Sequence, residues 1–275
     1  MNVNYKWGIY NEGGLVNISA GLNITPTYYF ELKKLLHVRR IKGFPMVRVG
    51  AKTGDGGYVM VKDFVDSGIA YSFGISGDVS WDKDMAERGY DVYMYDHTIT
   101  SLPEENEKFH FFQEGIGFEF DPYGPLDTLS SYIARNNHSA TKNMILKIDT
   151  EGAEWDFFKA IDATILDQFD QIVFEVHNLV KSCTEDEMER KLEAFRLMSK
   201  TFDLVHLHGN NCGCVLEIGN SIFPDALELT YVNKNKYETT EHSYLSLPTV
   251  LDSANDLGRS DIQLGDWNTP LIFDT

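Results

Sequence analysis

Three carboxylates, Asp149, Glu151 and Glu154, fall within six residues in the segment Leu146-Lys147-Ile148-Asp149-Thr150-Glu151-Gly152-Ala153-Glu154-Trp155. Like charges this close repel, so such a set at a strand end suits a cation, a hydroxyl awaiting deprotonation or a positively charged ligand. Glu151 and Glu154 also fit the first turn of a following helix, where acids complement the helix dipole, and that is the favoured reading of Glu154. Further along, Glu175 and His177 close an apolar run. His206 and His208 alternate onto one face of another run, with Asn210 and Asn211 just beyond. These residue types can take up a proton or orient a hydroxyl. The catalytic candidates are therefore Asp149, Glu175, His177 and His208, with either histidine able to serve as the base. Glu151, His206 and Asn210 are candidates for holding an acceptor.

A second group has the spacing of a nucleoside site. Phe73-Gly74-Ile75-Ser76-Gly77-Asp78 is a glycine turn after an apolar run, and Gly74 and Gly77 let backbone approach a ligand. It is neither the G-x-G-x-x-G fingerprint nor a P-loop. The next run ends Tyr93-Met94-Tyr95-Asp96-His97, which places a carboxylate about twenty residues after the turn, where it can accept hydrogen bonds from both ribose hydroxyls. Gly74, Ser76, Gly77, Asp78, Asp96 and His97 are thus the cofactor-binding candidates. Glu114 and Gly115 follow the third run in the corresponding place for adenine, and Asp149 borders the same edge. The pattern fits adenosine in NAD and in S-adenosylmethionine equally. Two metal arrangements are also compatible with the residue types. His206-x-His208-x3-Cys212-x-Cys214 carries four zinc-ligand types without a standard finger spacing, and Asp149, Glu175 and His177 could hold a divalent ion. Neither is favoured.

The elements that must position these residues follow from periodicity. Short apolar runs at 70–73, 91–95, 109–113, 143–148 and 171–176 alternate with helical patterns, the signature of a doubly wound parallel sheet. A helix is expected over 81–88, closed by Gly89, and another after Gly152 with Trp155, Phe158, Ile161 and Ile165 on one side. Thr184 and Glu187 form a capping box for a helix through Lys200, with Met188, Leu192, Phe195 and Met198 on one stripe. Strands at 202–207 and 226–232 follow with only a loop over 209–225 between them. Without a crossover helix they cannot easily be parallel neighbours, so six strands run one way and the last is reversed. Residues 1–45 read as an accessory segment with a helix at 27–38, where Tyr29, Leu32, Leu35 and Leu36 recur at helical spacing, and residues 235–275 read as a covering tail.

Composition narrows the partners. Of 275 residues, 24 are basic and 42 acidic, giving a formal charge of −18 that opposes docking on nucleic acid or an anionic membrane. No stretch approaches the roughly 18 apolar residues of a membrane span, and the opening residues lack the apolar run of a signal peptide, so a cytoplasmic protein is expected. Cys183, Cys212 and Cys214 are too few for a disulfide framework and fit a reducing compartment. Between Glu31 and Lys52 the local charge is about +6, and Arg39 and Arg40 in this strip are candidates for binding an anionic small molecule. Oligomeric state is not fixed by the sequence.

Residues 47–234, about two thirds of the chain, resemble the FkbM-type family of S-adenosylmethionine-dependent methyltransferases. The resemblance rests on Ile148-Asp149-Thr150-Glu151-Gly152-Ala153-Glu154 as its signature segment and Asp96-His97-Thr98 as its ribose-binding region. It implies a Rossmann-like class I methyltransferase fold, a seven-stranded and mostly parallel α/β sheet with an antiparallel last strand. It also implies an O-methyltransferase using S-adenosylmethionine on a small hydrophilic acceptor, a sugar or a phosphate- or nucleotide-linked intermediate of surface-glycan or secondary metabolism. One position departs from the pattern: the family's acid two residues before the first turn glycine is Ser72 here. That leaves Asp149 or the Asp55-Gly56-Gly57-Tyr58 turn to meet the methionine amino group. Two other classes use the same sheet, an NAD-dependent oxidoreductase and a non-catalytic nucleotide-binding scaffold.

Overall fold

The apolar runs assemble into one twisted sheet of seven strands, β1 (Gly68–Phe73), β2 (Tyr90–Tyr95), β3 (Phe109–Phe112), β4 (Met144–Asp149), β5 (Phe169–Val176), β6 (Phe202–Gly209) and β7 (Leu227–Asn233). The structure is a computed structural model that describes residues 5–11, 14–18, 25–117, 119, 121, 124–180, 184–242 and 245–272. The spatial order is β6-β7-β5-β4-β1-β2-β3. β7 pairs antiparallel with both β5 and β6, and the other pairings are parallel, so six strands share a direction and one opposes them, as the sequence leads one to expect. β4 and β5 are buried almost throughout because both of their faces are covered.

Six helices are described: α1 (Pro26–Leu35), α2 (Ser80–Glu87), α3 (Leu129–Arg135), α4 (Glu154–Ala160), α5 (Ala163–Leu166) and α6 (Glu185–Thr201). α2 links β1 to β2, whereas α4 and α5 carry the chain from β4 to β5 on the other side of β1. The connections therefore diverge between β1 and β4 and open a crevice at their carboxyl ends, the switch point where ligands bind in open α/β sheets. Aromatic rings fill the core beneath that crevice. Phe73 stacks on Tyr95 at 4.9 Å, and Tyr132 leans on Tyr95 at 4.3 Å. The capping box at Thr184 forms in full, with Glu187 returning a carboxylate to the cap.

Two stretches differ from expectation. The single helix expected after Gly152 is broken at Ile161, whose extended backbone separates α4 from α5, and Asp162 caps the second piece. The expected loop over 209–225 holds a hairpin, Cys214–Ile218 with Ser221–Pro224. Its outer neighbour is Tyr5–Asn11, which itself pairs with Gly14–Ile18. Alternation over five residues is too short to register as a strand when the strand that completes it lies about two hundred residues away. The segment before the sheet thus holds this hairpin as well as α1. The tail adds Thr239–Glu241 beside Arg39–Ile41 and threads back over the site. The Trp267 indole donates to the Leu36 carbonyl at 2.8 Å, tying the two ends of the chain together. Cys183 lies outside the described residues, among which no helix is long and apolar enough to cross a membrane.

Candidate functional site

The glycine turn after β1 is held by Asp96. Gly74 has φ +80°, and a Cβ there would lie 1.5 Å from the Asp149 carbonyl oxygen, so only glycine lets β1 and β4 close on each other. A Cβ on Gly77 would meet nothing, so the protein itself does not require glycine at that position. The Ile75 and Ser76 amides donate to Asp96 Oδ2 at 2.9 and 2.8 Å, and the Thr98 amide and hydroxyl donate to Oδ1 at 2.8 and 2.6 Å. Burial works against the Asp96 charge, but these donors outweigh it and hold the carboxyl below its ordinary range. Both oxygens are therefore engaged within the chain, and a ribose diol would have to share them. Asp96 is first a brace of the turn.

Above the turn lies a cavity of about 520 Å³ reaching from His97 and Gly115 to Lys147 and Asp149. Asp55, Asp78, Asp82, Asp96, Asp149 and Glu151 line it, against the single cation Lys147. Lys147 is buried; its ammonium donates to the Gly74 carbonyl at 2.8 Å and stands 3.7 Å from Asp149 Oδ2. Gly74, Ser76, Gly77, Asp78, Asp96, His97 and Gly115 from the expected cofactor set all border this cavity. Glu114 does not; it forms an ion pair with Arg135.

A second cavity of about 390 Å³ adjoins the first, and Asp55, Asp149 and Glu151 belong to both. Glu175, His177, Asn210 and Cys212 face it. The Tyr58 hydroxyl lies 2.9 Å from Asp149 Oδ2 and 3.3 Å from Glu175 Oε2, bridging the two carboxyls, and Asn210 Nδ2 donates to Glu175 Oε1. Burial and the Asp149 charge push Glu175 up to about 7, and burial likewise raises Asp149; the two titrate as a pair. His177 sits 3.5 Å from Glu175 and 3.4 Å from Glu154. Burial alone would lower its pKa, but the close carboxylates of Glu154 and Glu175 raise it to about 11.

Several expectations are corrected here. His177 is an imidazolium at neutral pH, so it orients and neutralises carboxylates rather than taking a proton. His208 is fully buried and flanked by Glu228 at 3.1 Å and Asp261 at 3.0 Å. Burial opposes its charge, yet these acids hold its pKa up to about 10, and it borders neither cavity. His206 is bound to Asp252 at 2.8 Å and also stands apart from the cavities. The zinc set is not assembled, because both histidines bond to carboxylates while Cys212 stays exposed at the second cavity. Among the described residues, the groups close enough to share an ion are Asp149, Glu151 and His177, and Asp55, Glu175 and Glu228; the trio Asp149, Glu175, His177 is split between them. Glu154 is completely buried. It opens the first turn of α4, as expected, and also accepts from the Thr150 and Gly152 amides at 2.7 and 3.0 Å, which makes it the anchor of the turn after β4.

Arg39 and Arg40 are not brought to the site. Arg39 forms ion pairs with Glu241 and with Asp203 at the start of β6, six residues and roughly 20 Å along the strand from the carboxyl edge. Both arginines border a separate groove with Phe44 and His242. A larger groove of about 850 Å³ between α4 and α6 carries none of the strand-end carboxylates. Sequence reasoning missed Glu228, Asp252, Asn255 and Asp261. A lone glutamate in the apolar run 226–232 was a usable signal for Glu228. The three tail residues gave none, since nothing local marks a loop residue as the partner of a strand-end group.

No protein-family model matches the chain, and no curated protein matches it. Among solved structures the chain is similar to one described as "Putative hemolysin from Streptococcus thermophilus", at 12% identity and a TM-score of 0.34, with 86% of this chain and 74% of that chain covered.

Proposed function

We propose that the chain is an S-adenosylmethionine-dependent O-methyltransferase acting on a neutral, polyhydroxylated small molecule of the sugar class. The observation that carries this reading is the sign of the charge around the switch-point cavity. Six carboxylates against one lysine attract a sulfonium nucleoside with an ammonium group and repel a pyrophosphate. The turn amides of Ile75 and Ser76, which in a dinucleotide site would point at phosphate, donate to Asp96 instead. This argues against the NAD-dependent oxidoreductase. The adjoining cavity argues against a scaffold, because it puts a second, polar compartment in contact with the first through shared Asp55, Asp149 and Glu151.

The residues present fit the cofactor. The Gly74–Gly77 turn, His97 and Gly115 would border the adenosine, and the carboxylates toward Asp149 would face its cationic end. When bound, S-adenosylmethionine supplies an activated methyl group whose sulfur leaves without acid assistance. The chain has then to align the acceptor, exclude water and remove one proton. Glu175 is the base: its carboxyl is poised near neutrality, it is buried, and it faces the acceptor compartment. The Tyr58 bridge and Asn210 fix its orientation, and protonated His177 keeps the surrounding negative charge tolerable. The same charge disfavours a phosphate-linked acceptor, and the basic strip that would have received one lies at the opposite edge of the sheet.

Titration calorimetry tests the reading. S-adenosylhomocysteine is expected to bind one per chain while NADH gives no heat. Binding of NADH, or of neither molecule, would defeat it, and binding without methyl transfer to any of a broad panel of sugars would favour the scaffold.

A further inference from the structure

One carboxylate of the cavity wall has so far counted only toward its overall charge. Asp82, in the first turn of α2, is 1% exposed, borders the cavity beside Trp81 and Lys147, and its Oδ1 has no hydrogen-bond partner among the described residues. Ser72 of β1, fully buried, lies against it and helps draw the carboxyl down, but at a geometry that satisfies neither its own hydroxyl nor Asp82 Oδ1. Leaving a buried carboxyl oxygen unsatisfied is costly, and native structures seldom do so away from a functional site. Complementing the dipole of α2 does not explain the placement, because a first-turn acid does that equally well at the surface.

We infer that Asp82 receives the ammonium group of the cofactor's amino-acid end, taking the place that the sequence leaves to Asp149 or Asp55. Both of those carboxylates are otherwise occupied. Asp149 is bonded by Tyr58 and lies beside Lys147, and Asp55 accepts from Asn255 Nδ2 at 2.9 Å. An ammonium carries three donors, enough to reach Asp82 Oδ1 and a second acceptor. Burial raises the Asp82 carboxyl above its ordinary range, and the charge of Lys147, the cavity's one cation, offsets that push only in part, which leaves room for a second cation beside it. A carboxylate and a lysine on one wall suit the two ends of a zwitterion, so the cavity would recognise an intact amino acid in addition to an adenosine.

The inference rests on the methyltransferase reading, and the test separates the two. Three probes are titrated into the full chain: S-adenosylhomocysteine, its analogue lacking the amino group, and 5′-methylthioadenosine, which lacks the whole amino-acid end. Wild-type protein should bind S-adenosylhomocysteine at least about tenfold more tightly than the des-amino analogue. In Asp82→Asn the affinity for S-adenosylhomocysteine should fall roughly ten- to hundredfold while that for 5′-methylthioadenosine changes less than about twofold. Equal binding of the first two probes by wild type, or an equal loss for all three in the variant, would overturn the assignment of Asp82 and leave the methyltransferase reading standing. Failure of wild type to bind any of the three overturns both. The comparison of probes on wild type needs no variant, so misfolding of Asp82→Asn cannot obscure the outcome.

Discussion

The carboxyl edge of the sheet has two halves built on different principles. At the turn after β1 the acid is satisfied locally: Asp96 takes its four hydrogen bonds from Ile75, Ser76 and Thr98, none more than 21 residues away. Around β4, β5, β6 and β7 the partners come from afar. Tyr58 reaches Asp149 across 91 residues, Asp261 reaches His208 across 53, and Asn255 reaches Asp55 across 200. In the first half one ionised acid is consumed by the donors of neighbouring turns. The second keeps several charges buried together, and there the two histidines become cations and a glutamate becomes the group with a proton to exchange. A residue type at a strand end therefore does not declare its protonation state; the groups folded over it do.

Replacing Glu175 by glutamine should break this contrast most severely. Loss of a positioned base lowers kcat by about 10²–10⁴-fold, with affinity for S-adenosylhomocysteine nearly unchanged. Since Glu175 must be ionised to act and burial holds it up to about 7, wild-type kcat should rise with pH through that value, and the rise should be absent from whatever activity remains in the variant. A full rate in Glu175→Gln would return the base to another group.

Asp96→Asn attacks the other half. With charge-assisted bonds to Ile75, Ser76 and Thr98 weakened, denaturant unfolding should report a loss of about 2–3 kcal/mol, and the distorted turn should weaken cofactor binding. Weakened binding at undiminished stability would restore Asp96 to a pure ribose clamp.

His208→Gln separates support from catalysis within the second half. Removing the cation between Glu228 and Asp261 should destabilise the fold by about 3 kcal/mol or more, with kcat per folded molecule preserved. Because the folded-state pKa of His208 is raised to about 10 from 6.5, its stabilisation is complete below 6.5 and is lost as pH climbs through 10. The stability of wild type should therefore fall across that window more steeply than that of the variant. A large drop in kcat with a stable fold would make His208 catalytic after all.

The smallest effect is expected from reversing Arg39 and Arg40 to glutamate. Arg39 is engaged with Glu241 and Asp203 at the far edge of the sheet, so the acceptor's KM should stay within about twofold of wild type. A large increase would place an anionic acceptor in the groove beside His242.

The two halves were also unequally legible in the sequence. The strand runs, the reversed last strand, the glycine turn and Asp96 could be read because each is a local signal, a period, a turn or a fixed spacing. Asp149, Glu175, His177 and Asn210 were placed together correctly, since strand ends in parallel register converge. The roles of the histidines could not be read. Asp252 and Asp261 sit in irregular tail segments, and no pattern connects them to His206 and His208. Asp82 was invisible for a related reason: an acid in the first turn of an amphipathic helix looks like an ordinary solvent-facing cap until the packing of α2 on β1 buries it.

A crystal structure of the chain with S-adenosylhomocysteine tests most directly whether this edge is a methyl-transfer site. The adenosine should lie over the Gly74–Gly77 turn beside His97, with the sulfur directed past Asp149 toward Glu175. Density for the nucleoside in either groove away from the strand ends, or a cavity filled by the chain's own side chains at saturating ligand, would contradict the account.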